Sequence, residues 1–77
     1  MYMGNMIDDK IRELIAIGAS IGANCVPCLR YHYSYAFELG VSSEDIQQAI
    51  EIGKMIREQP RKHIDEEITE LQKRYQK

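Results

Sequence analysis

The sequence predicts an all-α protein made of four short helices. Apolar residues recur at helical spacing, and no segment shows a sustained alternation of apolar and polar residues typical of a strand. The 77 residues form one predicted domain, 1–77. Single cores below about 70–80 residues are marginal without metals, staples or partners. Because 44% of the residues are nonetheless hydrophobic, we expect the surplus apolar surface to be buried in a homo-oligomer.

The first predicted helix covers about residues 6–23. Asp8 and Asp9 stand in its first turn, where the helix dipole favours negative charge. Gly18 and Gly22 lie one turn apart near its end and allow another segment to approach closely. The apolar residues at helical spacing are Ile7, Ile11, Leu14, Ile15 and Ile21.

The second predicted helix begins after a break at Asn24. Pro27 fits its first turn, because the backbone N–H that proline lacks has no partner at that position. The helix runs to about Leu39, and Gly40 is a favourable residue just beyond a helix end. Three tyrosines on it are interpreted as core or interface packing residues: Tyr31, Tyr33 and Tyr35.

Ser42 or Ser43 caps a third predicted helix, which ends at Gln59-Pro60. A fourth helix follows over about residues 61–75, strongly charged and with a narrow apolar stripe suited to one groove. The apolar face of the third helix is Ile46, Ala49, Ile50, Gly53 and Ile56. The stripe of the fourth is Ile64, Ile68, Leu71 and Tyr75.

Composition narrows the classes of partner. The formal charge is −2 and the signs are interspersed, so nucleic acid is not an expected partner. No charged segment followed by an apolar one opens the chain, and we expect a cytoplasmic protein. The most apolar stretch, 14–26, is too short and too rich in glycine to span a membrane. No dinucleotide or P-loop fingerprint is present, and no cofactor is expected.

The chemistry-bearing segment is Cys25-Val26-Pro27-Cys28, followed by His32. In a helix, Cys28 and His32 share a face because they are four residues apart. Free N–H groups at a helix start stabilise a thiolate, and an imidazole one turn away can accept its proton. Two residues between cysteines at a helix start also allow a disulfide. The pattern favours thiol redox chemistry.

Two other interpretations of the cysteines stay open. They can be ligands of a structural zinc ion, although zinc sites usually supply four ligands from two pairs and this chain has one pair. They can also be ordinary buried cysteines in an oligomeric interaction module without redox chemistry. His63 has no partner at motif spacing and is interpreted as a surface residue.

Glu13 is the third element of the predicted site. If the chain reverses near Asn24, Glu13 and His32 differ in axial position by roughly 4–5 Å, from ~1.5 Å rise per residue. A hydrogen bond between them, direct or through one water, would orient the imidazole. The alternative is a surface glutamate paired with a nearby basic residue such as Lys10, Arg12 or Arg30.

Glu13, Cys25-Val26-Pro27-Cys28 and His32 together match the E-x11-C-x-x-C-x3-H signature. The sequence thereby resembles the alkylhydroperoxidase D-like, or carboxymuconolactone decarboxylase, family, over roughly residues 7–57. The resemblance implies a small four-helix core unit assembled into trimers or hexamers. Members with this motif reduce peroxides or relay electrons from a dithiol-bearing partner. Members that act on carboxymuconolactone lack the cysteine pair, so decarboxylation is not expected.

Carried over by position, the resemblance implies that His32 deprotonates Cys28, that Cys25 closes the disulfide, and that Glu13 completes a proton relay. The expected substrate is a hydroperoxide, and the expected reductant is a dithiol protein or a small thiol. From the residues alone the order of attack stays open. A helix start favours Cys25, whereas the proximity of His32 favours Cys28.

Overall fold

The computed structural model describes residues 7–59 and 64–76 and contains, in those ranges, four helices and no strand. They are α1 (Asp9–Gly22), α2 (Val26–Glu38), α3 (Ser43–Arg57) and α4 (Ile64–Arg74). The predicted all-α fold is therefore confirmed, with helix ends within about three residues of those expected. The predicted helical positions 6 and 61–63, with the surface prediction for His63, lie outside the described residues.

Local side chains explain where α1 begins and ends. Asp8 caps the helix, because its carboxylate accepts a hydrogen bond from the backbone N–H of Ile11 at 2.9 Å. Asn24 adopts a φ of 56°, in the left-handed region that asparagine tolerates better than most residues. The chain reverses there, and the backbone N–H of Cys25 returns to the carbonyl of Ser20 at 2.9 Å. The predicted break at Asn24 is confirmed.

The turn between α2 and α3 is built from a glycine cap and a serine cap. Gly40 follows α2 with a φ of 85°, and the N–H of Val41 reaches back to the carbonyl of Ala36 at 3.1 Å. Ser42, rather than Ser43, caps α3 by accepting from the N–H of Asp45 at 3.1 Å. The buried Val41 between the two caps fixes how α3 returns towards α1.

Helix α1 is the central element, because it packs against both α2 and α3. The closest approach is at a glycine pair: a Cβ added at Gly53 would lie 2.7 Å from the carbonyl oxygen of Gly18. At Gly22 the same atom would meet only a side-chain carbon of Ile56, at 3.8 Å. The core consists of Ile17, Ile21, Ala36, Val41, Ile46 and Ala49.

Much of the apolar surface is not covered within the chain. Ile7 just before α1, Ile11 and Ile15 on α1, and Ile56 on α3 are between 41% and 56% exposed, although helical spacing predicts apolar faces for them. The three tyrosines of α2 are also exposed, so they are not core residues of this chain.

Helix α4 buries none of its residues. Its apolar stripe was expected to fill one groove, yet in the described part of the chain the helix pairs that pack are α1 with α2 and α1 with α3. The rest of the α4 surface is polar or charged, so the stripe is the apolar surface of this helix. None of the four helices is long and apolar enough to cross a bilayer.

Candidate redox site at the start of α2

Cys25 and Cys28 are joined in a disulfide. The sulfur atoms are 2.04 Å apart and the Cα atoms 5.3 Å apart. Cys25 immediately precedes α2 and Cys28 lies in its first turn, so the helix geometry itself brings the two side chains together. The sequence prediction that these sulfurs lie within bonding reach is confirmed.

The helix start surrounds the sulfurs with positive partial charge. Cys25 is the N-cap residue, and its sulfur accepts a hydrogen bond from the backbone N–H of Cys28 at 3.3 Å. Pro27 occupies the first turn without leaving an unpaired N–H. In the reduced protein, the same N–H and the helix dipole favour a negative charge on a sulfur at this position.

The two cysteines differ in access to solvent. Cys28 is exposed, whereas Cys25 is half-buried against the turn that follows α1. A small oxidant in solution therefore meets the sulfur of Cys28 more readily than that of Cys25.

Glu13 and His32 form a direct contact between α1 and α2. The Oε1 atom of Glu13 lies 2.7 Å from Nδ1 of His32. Only 4% of Glu13 is exposed, so the interpretation as a surface glutamate is wrong. Because the chain reverses at Asn24, Glu13 on α1 and His32 on α2 lie at similar heights along the two packed helices, as the spacing predicts.

The contact with Glu13 fixes which nitrogen of His32 is available. An ionised carboxylate only accepts hydrogen bonds, so Nδ1 carries the hydrogen and donates it to Glu13. Nε2 is then left with a free lone pair and can act as a base. His32 follows Cys28 by four residues in α2, so the two share one face of the helix.

Tyr31 covers one edge of the imidazole, a contact that spacing alone did not indicate. The ring centroids of Tyr31 and His32 are 4.9 Å apart at an angle of 80°. Tyr35 stacks on Tyr31 at 6.2 Å. Neighbours in sequence are not expected to meet on a helix, and only the side-chain rotamers bring these two rings together.

A second feature missed by the sequence is a cleft of about 120 Å³ beside Cys25. Its wall includes the apolar side chains Ile21, Val26 and Leu29, and Arg57 at the end of α3 contributes a cation. Arg57 is 29 residues from Cys28 along the chain, and no motif spacing connects them. We call this feature the Cys25 cleft.

Metal ligation was the main alternative use of the cysteines. Within residues 7–59 and 64–76, no group of three or more histidine, cysteine or acidic side chains is arranged to hold a metal ion. In the disulfide, neither sulfur is the thiolate that zinc binds.

The chain matches the model of a known protein family. The model of the carboxymuconolactone decarboxylase family matches residues 1–63. This chain belongs to the carboxymuconolactone decarboxylase family. No curated protein and no solved structure gives a significant match.

Membership of the carboxymuconolactone decarboxylase family accounts for α1, α2 and α3, whereas α4 lies beyond the matched residues. The family includes decarboxylases and alkylhydroperoxidase D-like peroxidases. The bonded cysteine pair fits the C-x-x-C redox site of the alkylhydroperoxidase D-like proteins. The coarse conclusion is a family member with a C-x-x-C site suited to redox chemistry.

Proposed function

We propose that this protein is a dithiol peroxidase that reduces hydroperoxides and is itself restored by an external dithiol. The observation that carries the proposal is the 2.7 Å contact between buried Glu13 and His32, next to a C-x-x-C disulfide at a helix start. A disulfide that only stabilises the fold makes no use of an oriented imidazole four residues away. A reactive thiol can use it as the base that forms the thiolate.

In the first step, Nε2 of His32 takes the proton of the Cys28 thiol. The thiolate attacks the terminal oxygen of a hydroperoxide, and the O–O bond breaks. The departing alkoxide takes the proton back from the imidazolium and leaves as an alcohol. Cys28 becomes a sulfenic acid, while the carboxylate of Glu13 stabilises the imidazolium between these proton transfers.

In the second step, Cys25 resolves the intermediate. Its sulfur attacks the sulfur of Cys28, the S–O bond breaks, and the hydroxyl group leaves as water with the thiol proton. The resulting Cys25–Cys28 disulfide is the form that the structure contains. An external dithiol reduces it by exchange, so one hydroperoxide and one dithiol yield an alcohol, water and a disulfide.

Two observations favour Cys28 as the attacking residue. It is the more exposed cysteine, and it shares a helix face with His32. Cys25 is half-buried and forms the N-cap, a position from which it can close the disulfide.

We also propose that the protein works as a homo-oligomer. Large apolar side chains on all four helices are exposed, among them Phe37 at 75%, Met55 at 57% and Ile64 at 65%. A second copy is a suitable partner for α4, because acidic residues begin this helix and basic residues end it. Two antiparallel copies of α4 would place opposite charges beside each other around a shared apolar stripe.

The experiment for the proposed activity is a steady-state assay with tert-butyl hydroperoxide as oxidant and dithiothreitol as reductant. Wild-type protein should consume the hydroperoxide, and Cys28→Ser and His32→Ala should each lose at least about 90% of the rate, since the first removes the attacking sulfur and a catalytic base contributes about 10²-fold or more. Glu44→Gln removes an exposed carboxylate in α3 and should leave the rate unchanged.

Dimedone, which traps sulfenic acid, should label Cys25→Ser and not Cys28→Ser. Labelling of Cys28→Ser alone would reverse the order of attack. Full activity of a Cys25→Ser/Cys28→Ser double variant, or no consumption by the wild type, would contradict the peroxidase proposal.

A further inference from the structure

The Cys25 cleft has no part in the peroxide half of the proposed cycle. It reaches the half-buried cysteine, not the exposed Cys28 or His32. The reductive half of the cycle, in contrast, requires a second molecule to approach one sulfur of the disulfide. The cleft therefore offers a route by which a reductant can reach the sulfur of Cys25.

The charge of the cleft is positive. Arg57 is half-buried at its rim, and no acidic side chain contributes to the lining. Within the described residues, the ion pairs are Arg12 with Asp9 and His32 with Glu13, so Arg57 has no carboxylate partner there. A guanidinium without a partner beside apolar carbon is suited to hold the anionic group of a ligand.

We propose that the Cys25 cleft binds the anionic group of a small dithiol, whose thiolate then attacks Cys25. This inference rests on the proposed function, since it assigns the reductant class for the same disulfide. The ligand carries a carboxylate, sulfonate or phosphate on a short apolar stem. The cleft can enclose only a small end of a ligand, because about 120 Å³ is well below the roughly 300–1,000 Å³ of pockets that enclose drug-sized ligands.

The exchange balances without a further reactant. The thiolate of the ligand forms a bond to the sulfur of Cys25, the Cys25–Cys28 bond breaks, and Cys28 leaves as a thiolate. His32 or solvent supplies a proton to Cys28. The second thiol of the ligand then attacks its own mixed disulfide and releases Cys25, so that the ligand is oxidised to a disulfide and the protein is reduced.

The identity of the leaving group supports entry from this side. A thiolate that is easier to form leaves faster in thiol–disulfide exchange. Cys28 shares a helix face with His32, so attack on Cys25 releases the thiolate that has an imidazole one turn away to return its proton. Attack on Cys28 would instead release the thiolate of Cys25, and the residue one helical turn after Cys25 is Leu29 rather than a histidine.

The test compares two dithiols with one skeleton, 3-mercapto-2-(mercaptomethyl)propanoate and its uncharged carboxamide, whose 1,3-spaced thiols can close a five-membered disulfide ring. Oxidised protein is mixed with each, quenched with acid, alkylated and weighed intact. Arg57→Gln should lower the rate constant for the carboxylate by about three- to tenfold and that for the amide by less than about twofold. Arg57→Lys keeps the charge and should retain most of the preference.

Lys54→Gln is the matched control, because Lys54 is also a basic residue in the last turn of α3 but is exposed and outside the cleft. It should change neither rate. Equal losses with both dithiols in Arg57→Gln, or no loss with either, would overturn the cleft assignment. Neither outcome bears on whether the protein consumes hydroperoxide. A protein that is reduced faster by the anionic dithiol but consumes no hydroperoxide would contradict the proposed function and not the cleft assignment.

Discussion

At the scale of single residues, the buried carboxylate of Glu13 needs a partner. A charge removed from water without a hydrogen-bond donor is strongly destabilising, and His32 supplies that donor at 2.7 Å. The same contact holds the imidazole in one orientation and tautomer. One hydrogen bond thus has a structural and a chemical role.

Replacing Glu13 by glutamine separates these roles. Glutamine can still accept from Nδ1 of His32, but it supports a positive imidazolium less well by on the order of 1 kcal/mol, so alkylation of Cys28 by iodoacetamide at pH 7 should slow about fivefold. The measurement is the alkylation rate of the reduced Cys25→Ser background. Glu44→Gln serves as the control, and an unchanged rate in Glu13→Gln would remove Glu13 from the relay.

At the scale of the helices, the position of α3 depends on the missing side chain of Gly53. An added methyl group there would meet the Gly18 carbonyl at 2.7 Å and the Cβ of Ile21 at 2.9 Å. Both neighbours are backbone or backbone-proximal atoms and cannot move without shifting a helix. The site depends on this packing indirectly, because α1 also carries Glu13.

Gly53→Ala should therefore destabilise the protein by about 1–3 kcal/mol, as overpacked cores do. Gly22→Ala is the matched substitution in α1, where the added carbon meets Ile56 at 3.8 Å, an ordinary contact. It should be neutral or stabilising by up to about 1 kcal/mol. Urea denaturation of both variants checks the pair, and equal stabilities would show that the close approach of α1 and α3 carries no constraint.

The helices and the redox residues could be predicted because their signals are local or periodic. Asn24 and Gly40 tolerate a positive φ, and the hydroxyl of Ser42 caps a helix, so the helix ends could be predicted from these residues alone. The four-residue spacing of Cys28 and His32 predicted that they share one face of a helix. The contact of Glu13 with His32 needed only one more assumption, a hairpin at Asn24.

Features that depend on tertiary placement could not be predicted in the same way. Arg57 reaches the Cys25 cleft only because α3 returns along α1. In the sequence, a basic residue in the last turn of α3 is already explained by the helix dipole, so nothing there indicates a binding role. The apolar stripe on α4 could be predicted, but the surface that covers it could not. An apolar stripe indicates that a helix face is buried, and it does not identify the partner that buries it.

At the scale of the whole molecule, the exposed apolar surface is the feature that one chain does not explain. Contiguous apolar patches on a protein surface mark interaction sites. On α4, Ile68 and Leu71 are 45% and 40% exposed on the stripe, and both lie among charged residues. The proposed oligomer would cover them.

Ile68→Glu should lower the molecular mass measured by light scattering at micromolar concentration, because it places a charge in the proposed interface. Thr69→Glu adds the same charge one residue along α4, away from the stripe, and should leave the mass unchanged. A mass equal to that of one chain for the wild type, or equal shifts in both variants, would contradict a role for this stripe in assembly.

In the proposed reaction, Cys25 and Cys28 together deliver two electrons to a hydroperoxide with help from His32. Its most direct test is a single turnover of the fully reduced protein with one equivalent of tert-butyl hydroperoxide, followed by titration of free thiols. One equivalent of alcohol should form as two thiols per chain disappear into the Cys25–Cys28 disulfide, and His32→Ala should do this at least about tenfold more slowly. Two surviving thiols with the hydroperoxide unconsumed would contradict it.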